Sequence, residues 1–234
     1  MQLAEESKGS ATRRDRVLGI VTLGQAPRVD VVPDIAAILP GVEIVEAGAL
    51  DDACEDEIAE LEPRVGEPAL ATRLRDGRGI AVSKPRLLPR LEIAIAQLSP
   101  RCGAVLLLCS GRFPDLASSG RVLYPDGILH GVVRGLLRPG NRLGVVSPLP
   151  SQTEMAGEKW ADAAERVVGT SASAYGPPDR LAAAVSELDR AGSDLIVLDC
   201  MGFSRAHREV AQSVTPRPIL LAPTVVAAVV SQVL

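Results

Sequence analysis

The chain has 234 residues and a formal net charge of −4, and 47% of its residues are hydrophobic while only 2% are aromatic. The acidic balance and the few aromatic side chains disfavour a nucleic-acid-binding protein, which needs a basic face and stacking platforms. A core built from Ala, Val, Leu and Ile is typical of parallel sheets covered by helices. The length suits one large domain or two modest ones.

The N-terminal residues 1–15 are polar, mix both charge signs and show no periodicity, which predicts a disordered leader. They contain no apolar run that could form the core of a signal peptide, so we expect a cytoplasmic protein. The four cysteines should then be free thiols, because disulfides are rare in that compartment.

After the leader, apolar strand-like runs alternate with helical and turn-forming segments. A buried strand is predicted over 17–22, followed by a loop rich in Gly and Pro. Asp51 or Asp52 is a candidate N-cap of an acidic helix, and Asp76-Gly77 predicts a small antiparallel hairpin added to the parallel sheet. The remaining predicted elements of this half are helices over 30–38, 51–62 and 89–98, a strand over 42–46, and hairpin strands over 71–75 and 78–83.

The second half repeats this alternation and ends in an apolar run. Residues 218–234 resemble a membrane span, but the run is too short for one and Pro223 interrupts it. A strand over 219–221 followed by a buried helix over 224–234 is the better interpretation. The other predicted elements are helices over 127–137, 154–167, 178–191 and 207–213, and strands over 143–148, 170–175 and 195–198.

Two pairs of stretches match each other in the same order along the chain. An apolar run ends in Cys-x-Gly before an aromatic residue at Cys109 and again at Cys200, and Leu18–Thr22 is similar to Leu143–Ser147. An internal duplication usually means two similar structural units. Buried strands that stop at a glycine leave the sheet at its carboxyl end, where open α/β sheets bind ligands. Both cysteines are therefore expected to face one cleft.

The predicted fold is α/β, with two pseudo-symmetric lobes that are each a mostly parallel sheet flanked by helices. The small hairpin belongs to the first lobe in this prediction. We assign residues 16–113 and 215–234 to the first lobe and residues 114–214 to the second.

Several motifs, taken in order, resemble the AroM family over residues 17–234. They are Thr22–Arg28, Gly48–Asp51, Thr72–Gly77, Cys109–Gly111 and Leu198–Gly202. More distantly, the two-cysteine plan resembles the aspartate/glutamate/hydantoin racemase superfamily. That resemblance implies a racemase-like fold and cofactor-independent chemistry in which two cysteines hold a substrate carbon between them. In the second cysteine motif, Asp199 replaces the glycine that is usual in hydantoin racemases.

Cys109 and Cys200 are the predicted acid/base pair. Inverting a carbon next to a carbonyl requires a base on one face and an acid on the other, and two opposed thiols meet that requirement. Helix N-termini after the strand ends are expected to lower the thiol pKa values. The alternative is that each cysteine is a small buried hydrophobe, which is our interpretation of Cys54 and Cys102.

Hydroxyl, amide and guanidinium groups beside the strand ends are candidate substrate ligands. Arg28 suits bidentate binding of a carboxylate, and backbone N–H groups after each cysteine suit a carboxylate or enolate oxygen. The alternatives are turn-capping hydroxyls, an exposed hairpin edge and a solvated surface arginine. The predicted substrate-binding set is Thr22, Gln25, Arg28, Ser83, Ser110, Gly111, Ser147, Met201 and Gly202.

We predict neither a metal nor an organic cofactor. The sequence has no Cys-x-x-Cys or His-x-x-x-His pattern, and it has no dinucleotide-binding or phosphate-loop glycine motif. A pyridoxal enzyme needs a Schiff-base lysine, and nothing around Lys84 supports that role.

Four interpretations of function stay open. The first is a cofactor-independent racemase or epimerase of a small carboxylate or carbonyl compound, of the amino acid or hydantoin type. The second is an isomerase or decarboxylase of the same fold that uses one cysteine. The third is a non-catalytic two-lobed protein that binds a small ligand, and the fourth is a reversible disulfide between the two cysteines. No nucleic-acid or membrane partner is expected, and the apolar C-terminal helix favours a homodimer.

Overall fold

Ten strands form two four-stranded parallel sheets and a separate hairpin in the computed structural model, which describes residues 13–116 and 120–234. The strands are β1 Val17–Thr22, β2 Glu43–Gly48, β3 Ala69–Arg73, β4 Gly79–Ser83, β5 Ala104–Leu107, β6 Val122–Leu123, β7 Arg142–Ser147, β8 Arg166–Ser171, β9 Leu195–Leu198 and β10 Ile219–Leu221. The first sheet has the order β2-β1-β5-β6 and the second has the order β10-β9-β7-β8. Each sheet with its helices forms one lobe, as the sequence predicts.

Eight α-helices of the described residues cover these sheets. They are α1 Val32–Ala36, α2 Glu55–Glu60, α3 Lys84–Leu98, α4 Pro125–Leu136, α5 Ala156–Trp160, α6 Pro178–Arg190, α7 Arg205–Gln212 and α8 Ala222–Val230. Five of the eight carry a proline in the first turn, namely α1, α3, α4, α6 and α8. Proline suits that turn because the missing N–H has no partner inside the helix there.

The two sheets repeat one register. Leu18 of β1 pairs with Ala104 of β5, and Leu143 of β7 pairs with Leu195 of β9. Each of these two partners precedes the cysteine of its own lobe by five residues. Cys109 and Cys200 are therefore the same position in two copies of one structural unit.

Glycines at equivalent positions let the chain pack closely against both central strands. A Cβ added to Gly19 of β1 would lie 3.0 Å from the Cys102 sulphur, and one added to Gly144 of β7 would lie 2.6 Å from the Ser193 hydroxyl oxygen. Cys102 and Ser193 occupy equivalent positions, because each lies two residues before its strand, β5 or β9. Any side chain at either glycine would meet the neighbouring segment, so close packing favours glycine there.

One hydrophobic core joins the two lobes. Alternate residues of β1, Leu18 and Ile20, belong to the same buried cluster as Leu143 and Val145 of β7 and Val226 of α8. The other faces of the two sheets pack in clusters of their own. Burying one such side chain contributes about 1.5–3 kcal/mol, so the shared cluster holds the two sheets against each other.

The division between the lobes differs from the prediction at two edge strands. The sequence places residues 114–214 in the second lobe, but β6 pairs with β5 of the first sheet. It places residues 215–234 in the first lobe, but β10 pairs with β9 of the second sheet. The chain returns towards the first lobe only with α8, which packs against α4 and α1. Edge strands of two or three residues carry little sequence signal, and tertiary pairing decides their sheet.

The predicted hairpin is present, with Asp76-Gly77 at its turn. It forms a sheet of its own, so the prediction that it extends the parallel sheet is wrong. The predicted N-cap is also wrong, because α2 begins after Cys54. The Asp51 carboxylate instead accepts the N–H groups of Gly48 at 2.7 Å and Ala26 at 2.8 Å, and it thereby holds the loop after β1 against β2.

The predicted helix over 154–167 is longer than the observed one. α5 ends at Trp160, and β8 begins at Arg166, so the strand predicted over 170–175 starts earlier than expected. Val167 and Val168 pair in the sheet instead of extending the helix. Their branched side chains fit a strand better than a helix.

The predicted disordered leader lies mostly outside the described residues. Of its last residues, 13–15 belong to a 3₁₀ turn over Arg13–Arg16. The Arg14 guanidinium donates to the carbonyl oxygens of Ser99 and Cys102, each at 2.9 Å, which fixes this turn to the segment before β5. None of the helices in residues 13–116 and 120–234 has the length and apolarity needed to cross a bilayer.

Because Ser193 packs closely against Gly144, adding a single methyl group at Gly144 should lower the stability of the protein. We expect Gly144→Ala to destabilise the protein by about 1–3 kcal/mol, because the new Cβ forces a shift in a packed strand. Urea denaturation followed by circular dichroism measures this change.

Gly131→Ala is the matched control. An added Cβ at Gly131 of α4 meets nothing within 4 Å, and alanine is the better helix former by about 0.5–1 kcal/mol. We therefore expect the control to raise stability slightly. Equal stability of the two variants would contradict the packing described for the central strand.

Candidate functional site

A cavity of about 510 Å³ opens at the carboxyl ends of strands from both sheets. Cys109 follows β5, Cys200 follows β9 and Ser147 ends β7, and all three line the cavity. The β3 residues Ala69 and Leu70 form part of another wall. The two cysteines therefore share one cavity, and both thiols are free.

The two cysteines have the same local geometry. The Cys109 sulphur accepts the Gly111 N–H at 3.3 Å, and the Cys200 sulphur accepts the Gly202 N–H at 3.3 Å. The Cys-x-Gly spacing produces this contact, because the chain turns back at the end of the strand. The N–H groups of these two glycines therefore point to sulphur, where they favour the thiolate form, rather than to a substrate.

Burial raises the pKa of the Cys109 thiol to about 12 and that of the Cys200 thiol to about 11. The Gly111 N–H lowers the pKa of Cys109, the Gly202 N–H lowers that of Cys200, and the Lys159 ammonium lowers both, but these effects only partly offset burial. The expectation that helix N-termini lower these pKa values is wrong. Cys109 leads into a loop, and α7 begins several residues after Cys200.

Arg28 is buried, and all three nitrogens of its guanidinium donate hydrogen bonds. Its Nε and Nη2 donate to the two oxygens of Asp30 at 2.9 and 2.8 Å, and its Nη1 donates to the Thr22 hydroxyl at 3.0 Å. Nη2 also donates to the Tyr175 hydroxyl of the second lobe at 3.2 Å. Burial works against the charge of Arg28, but the hydrogen bond to Asp30 raises its pKa above the ordinary value. The predicted carboxylate-binding arginine therefore holds a tyrosine in place across the lobes.

Tyr175 lies where two glycines leave room for its ring. A Cβ at Gly202 would lie 2.5 Å from the Tyr175 hydroxyl oxygen, and one at Gly79 of β4 would lie 2.6 Å from its ring. Burial raises the pKa of the Tyr175 phenol, and the nearby Cys200 adds to that rise. The sequence analysis missed this residue because no motif surrounds it.

Asp199 forms a second charged centre beside Cys200. Its Oδ2 accepts the ammonium of Lys159 at 2.6 Å and the indole N–H of Trp160 at 3.1 Å. The Ser110 hydroxyl donates to the Asp199 backbone carbonyl at 3.1 Å, which joins the two cysteine motifs directly. Asp199 is only 3% exposed. Its carboxylate thus keeps Lys159 at the cavity near both thiols.

Side chains of both lobes also form bonds between the lobes around the cavity. The Gln152 amide donates to the Ala69 carbonyl of β3 at 2.9 Å. Arg112 donates to the Lys159 carbonyl at 2.8 Å and lies 3.2 Å from the Asp162 carboxylate. These bonds hold the hairpin and the loop after Cys109 against the second lobe.

The sequence from residue 18 to residue 234 matches the family model described as AroM protein. The chain belongs to the AroM family. No curated protein matches it in sequence. Family membership therefore identifies the chain without naming a reaction.

Solved structures similar to this AroM-family chain share its fold at low sequence identity. Glutamate racemase isoform RacE1 from Bacillus anthracis is 14% identical, with a TM-score of 0.60 over 95% of this chain and 82% of that one. Arylmalonate decarboxylase is 13% identical, with a TM-score of 0.54 over 92% of each chain. Maleate isomerase from Pseudomonas putida S16 is 12% identical, with a TM-score of 0.54 over 90% of each chain. The racemase-like fold implied by the cysteine motifs is thereby confirmed.

Most of the residues that the sequence predicts to be functional line the cavity of this AroM-family protein. Those that line it are Cys109, Cys200, Arg28, Ser110, Gly111, Ser147, Met201 and Gly202. Thr22, Gln25 and Ser83 lie outside the lining. The Gln25 amide bonds to the Leu50 carbonyl and the Arg75 N–H, and Ser83 is fully buried before α3. The Thr22 hydroxyl accepts a hydrogen bond from Arg28 instead.

No three His, Cys, Asp or Glu side chains stand together as a metal-binding group in the part of the chain that the structure describes. The cations that line the cavity are Arg28, Lys84, Arg112 and Lys159. Lys159 is paired with Asp199, and the Lys84 ammonium donates to the Arg112 carbonyl at 2.5 Å. Both ammonium groups at the cavity therefore already have oxygen partners within the protein.

The raised thiol pKa values predict slow alkylation near neutral pH. Only the thiolate reacts with iodoacetamide, so its fraction at Cys109 and Cys200 grows about tenfold with each pH unit below their pKa values. We expect both to react slowly at about pH 7 and much faster at about pH 9. Peptide mass spectrometry measures each site separately.

Cys54 provides the internal comparison because it is exposed. It should be alkylated before the two cavity cysteines at neutral pH. If Cys109 or Cys200 reacted faster than Cys54 at that pH, the burial effect assigned to the cavity would be wrong.

Proposed function

We propose that this AroM-family protein is a cofactor-independent racemase or epimerase of a small carboxylate or carbonyl compound, with Cys109 and Cys200 as its acid/base pair. One observation carries the proposal: the two cysteines occupy equivalent positions in the two lobes and line the same cavity. A volume near 510 Å³ suits a small-molecule ligand.

The proton-transfer step needs one thiolate and one thiol. The thiolate removes the proton on the carbon beside the carboxylate, and the opposite thiol gives its proton to the other face of that carbon. The protonation states of Cys109 and Cys200 are exchanged at the end of the step, so the reverse reaction uses the same groups. Their high pKa values make each thiolate a strong base once it forms.

Formation of one thiolate disfavours formation of the second. The charge of Cys200 raises the pKa of Cys109, so the second thiol ionises less readily once the first is a thiolate, as in coupled groups. The Lys159 ammonium lowers the pKa of both thiols and supports the singly ionised pair. This state is the one that the reaction requires.

Donors at the strand ends are available for the negative charge that develops on the substrate. The Gly111 and Gly202 N–H groups bond to sulphur, so we assign this role to the N–H groups of Ser110 and Met201 and to the Ser147 hydroxyl. All three residues line the cavity. Fixed donors of this kind stabilise an enolate more than the ground-state carboxylate.

A one-cysteine isomerase or decarboxylase is the second candidate. An asymmetry between the lobes favours it: Leu108 precedes Cys109, whereas the charged Asp199 precedes Cys200. The two thiols therefore have different neighbours, as expected if only one of them performed chemistry. A decarboxylase and an isomerase also share this fold.

Isotope exchange distinguishes the two candidates. α-Amino acids, 5-substituted hydantoins, arylmalonates and maleate are incubated in deuterated water, and proton NMR follows deuterium at the reacting carbon together with the configuration of the product. For the racemase, Cys109→Ala and Cys200→Ala should each lower inversion by roughly a hundredfold or more, because each removes one proton carrier.

Cys54→Ser is the control and should keep full activity, because Cys54 is exposed and is not among the residues that line the cavity. Loss of activity in only one cavity variant would instead support the one-cysteine reaction. Unchanged exchange and inversion in both cavity variants would overturn the proposal.

A further inference from the structure

Tyr175 lines the cavity, and its hydroxyl oxygen accepts a hydrogen bond from Arg28. Arg28 Nη2 donates to this oxygen at 3.2 Å. A guanidinium has no lone pair to accept the phenol proton. The O–H proton of Tyr175 therefore points to a partner other than Arg28.

The guanidinium cannot easily turn away from Tyr175. Arg28 makes two bonds to Asp30 and one to the Thr22 hydroxyl, and Arg73 lies 3.6 Å from the same Asp30 carboxylate. Such a forked, bidentate contact fixes the guanidinium plane. The Tyr175 phenol oxygen belongs to the second lobe, and a rigid hydrogen-bond donor of the first lobe, Arg28, thus holds it in place.

The Cys200 motif leaves room for this hydroxyl. A Cβ at Gly202 would lie 2.5 Å from the Tyr175 oxygen, so the oxygen lies directly over the glycine whose N–H supports the Cys200 sulphur. Tyr175 and Met201 both line the cavity. The hydroxyl is therefore next to the donors at the second strand end.

We propose that Tyr175 is a further catalytic residue, whose O–H donates a hydrogen bond to the carboxylate or enolate oxygen of the substrate on the Cys200 side of the cavity. The Arg28 charge polarises the phenol and strengthens this donor, as charge-assisted donors are stronger than neutral ones. The proposal rests on the proposed function for its substrate class, a small carboxylate. It assigns Arg28 a positioning role through Tyr175.

Tyr175→Phe removes only the hydroxyl and leaves the ring between the two glycines. We expect the deuterium exchange rate to fall about 100-fold with little change in KM, because the lost donor acts mainly on the developing charge. A merely structural role would lower the melting temperature or raise KM without this selective loss of kcat.

Tyr124→Phe is the matched control. The Tyr124 hydroxyl accepts the Leu116 N–H at 2.7 Å, and Tyr124 is not among the residues that line the cavity. Its exchange rate should equal that of the wild type. A Tyr175→Phe variant with wild-type kcat would overturn the proposal.

A binding measurement keeps the proposal testable without turnover. Malonate, a small dicarboxylate, is titrated into the protein while the near-ultraviolet difference spectrum of tyrosine is recorded. A phenol that donates to a carboxylate should give a red-shifted signal in the wild type and in Tyr124→Phe but none in Tyr175→Phe. A spectrum that malonate leaves unchanged, or a signal that survives in Tyr175→Phe, would contradict the assignment.

The two tests separate the two claims. Absence of exchange with every compound in the wild type would count against the racemase, and the malonate spectrum would still decide the role of Tyr175. Normal exchange without any effect of Tyr175→Phe would support the racemase and remove Tyr175 from its mechanism.

Discussion

The parallel pairing of β1 with β5 and of β7 with β9 determines where every other part of the site lies. The same register in both sheets brings Cys109 and Cys200 to equivalent ends of equivalent strands. A slip of one residue would turn the apolar side chains of a strand to the opposite face and move the cysteine away from the cavity. Close packing at Gly19 and Gly144 and the core shared between the lobes oppose such a slip.

The electrostatics of the cavity depend on that placement. Burial makes both thiols weak acids, and nearby cations offset only part of this effect. Lys159 is held by Asp199, and Arg28 is held by Asp30. Because each of these two cations has a carboxylate partner, neither is left as an unpaired buried charge, which would be strongly destabilising.

The sequence predicted the features that follow from local pattern. Apolar runs gave the central strands, and the Cys-x-Gly matches gave the equivalence of Cys109 and Cys200, because both are repeated in the chain. The fold class follows from the same alternation. The sheet that each of the edge strands β6 and β10 joins depends instead on long-range pairing, which a window of a few residues does not contain.

The charged network was not predictable in the same way. Tyr175 and Lys159 reach the cavity from loops and a short helix, and neither residue has a repeated neighbour in the other half. Arg28 was predicted at the site, but its partners Asp30 and Tyr175 determine its role, and the Tyr175 contact spans the two lobes. Contacts between residues so distant in sequence require the assembled fold.

The central claim is that the two thiols face each other across one ligand-sized cavity. Treatment with dibromoacetone at about pH 9, where more of each thiol is ionised, followed by peptide mass spectrometry, tests this claim most directly. The account predicts one major cross-link, between Cys109 and Cys200, which is lost when either is changed to alanine. Modification of the two cysteines by separate reagent molecules, with no cross-link between them, would contradict it.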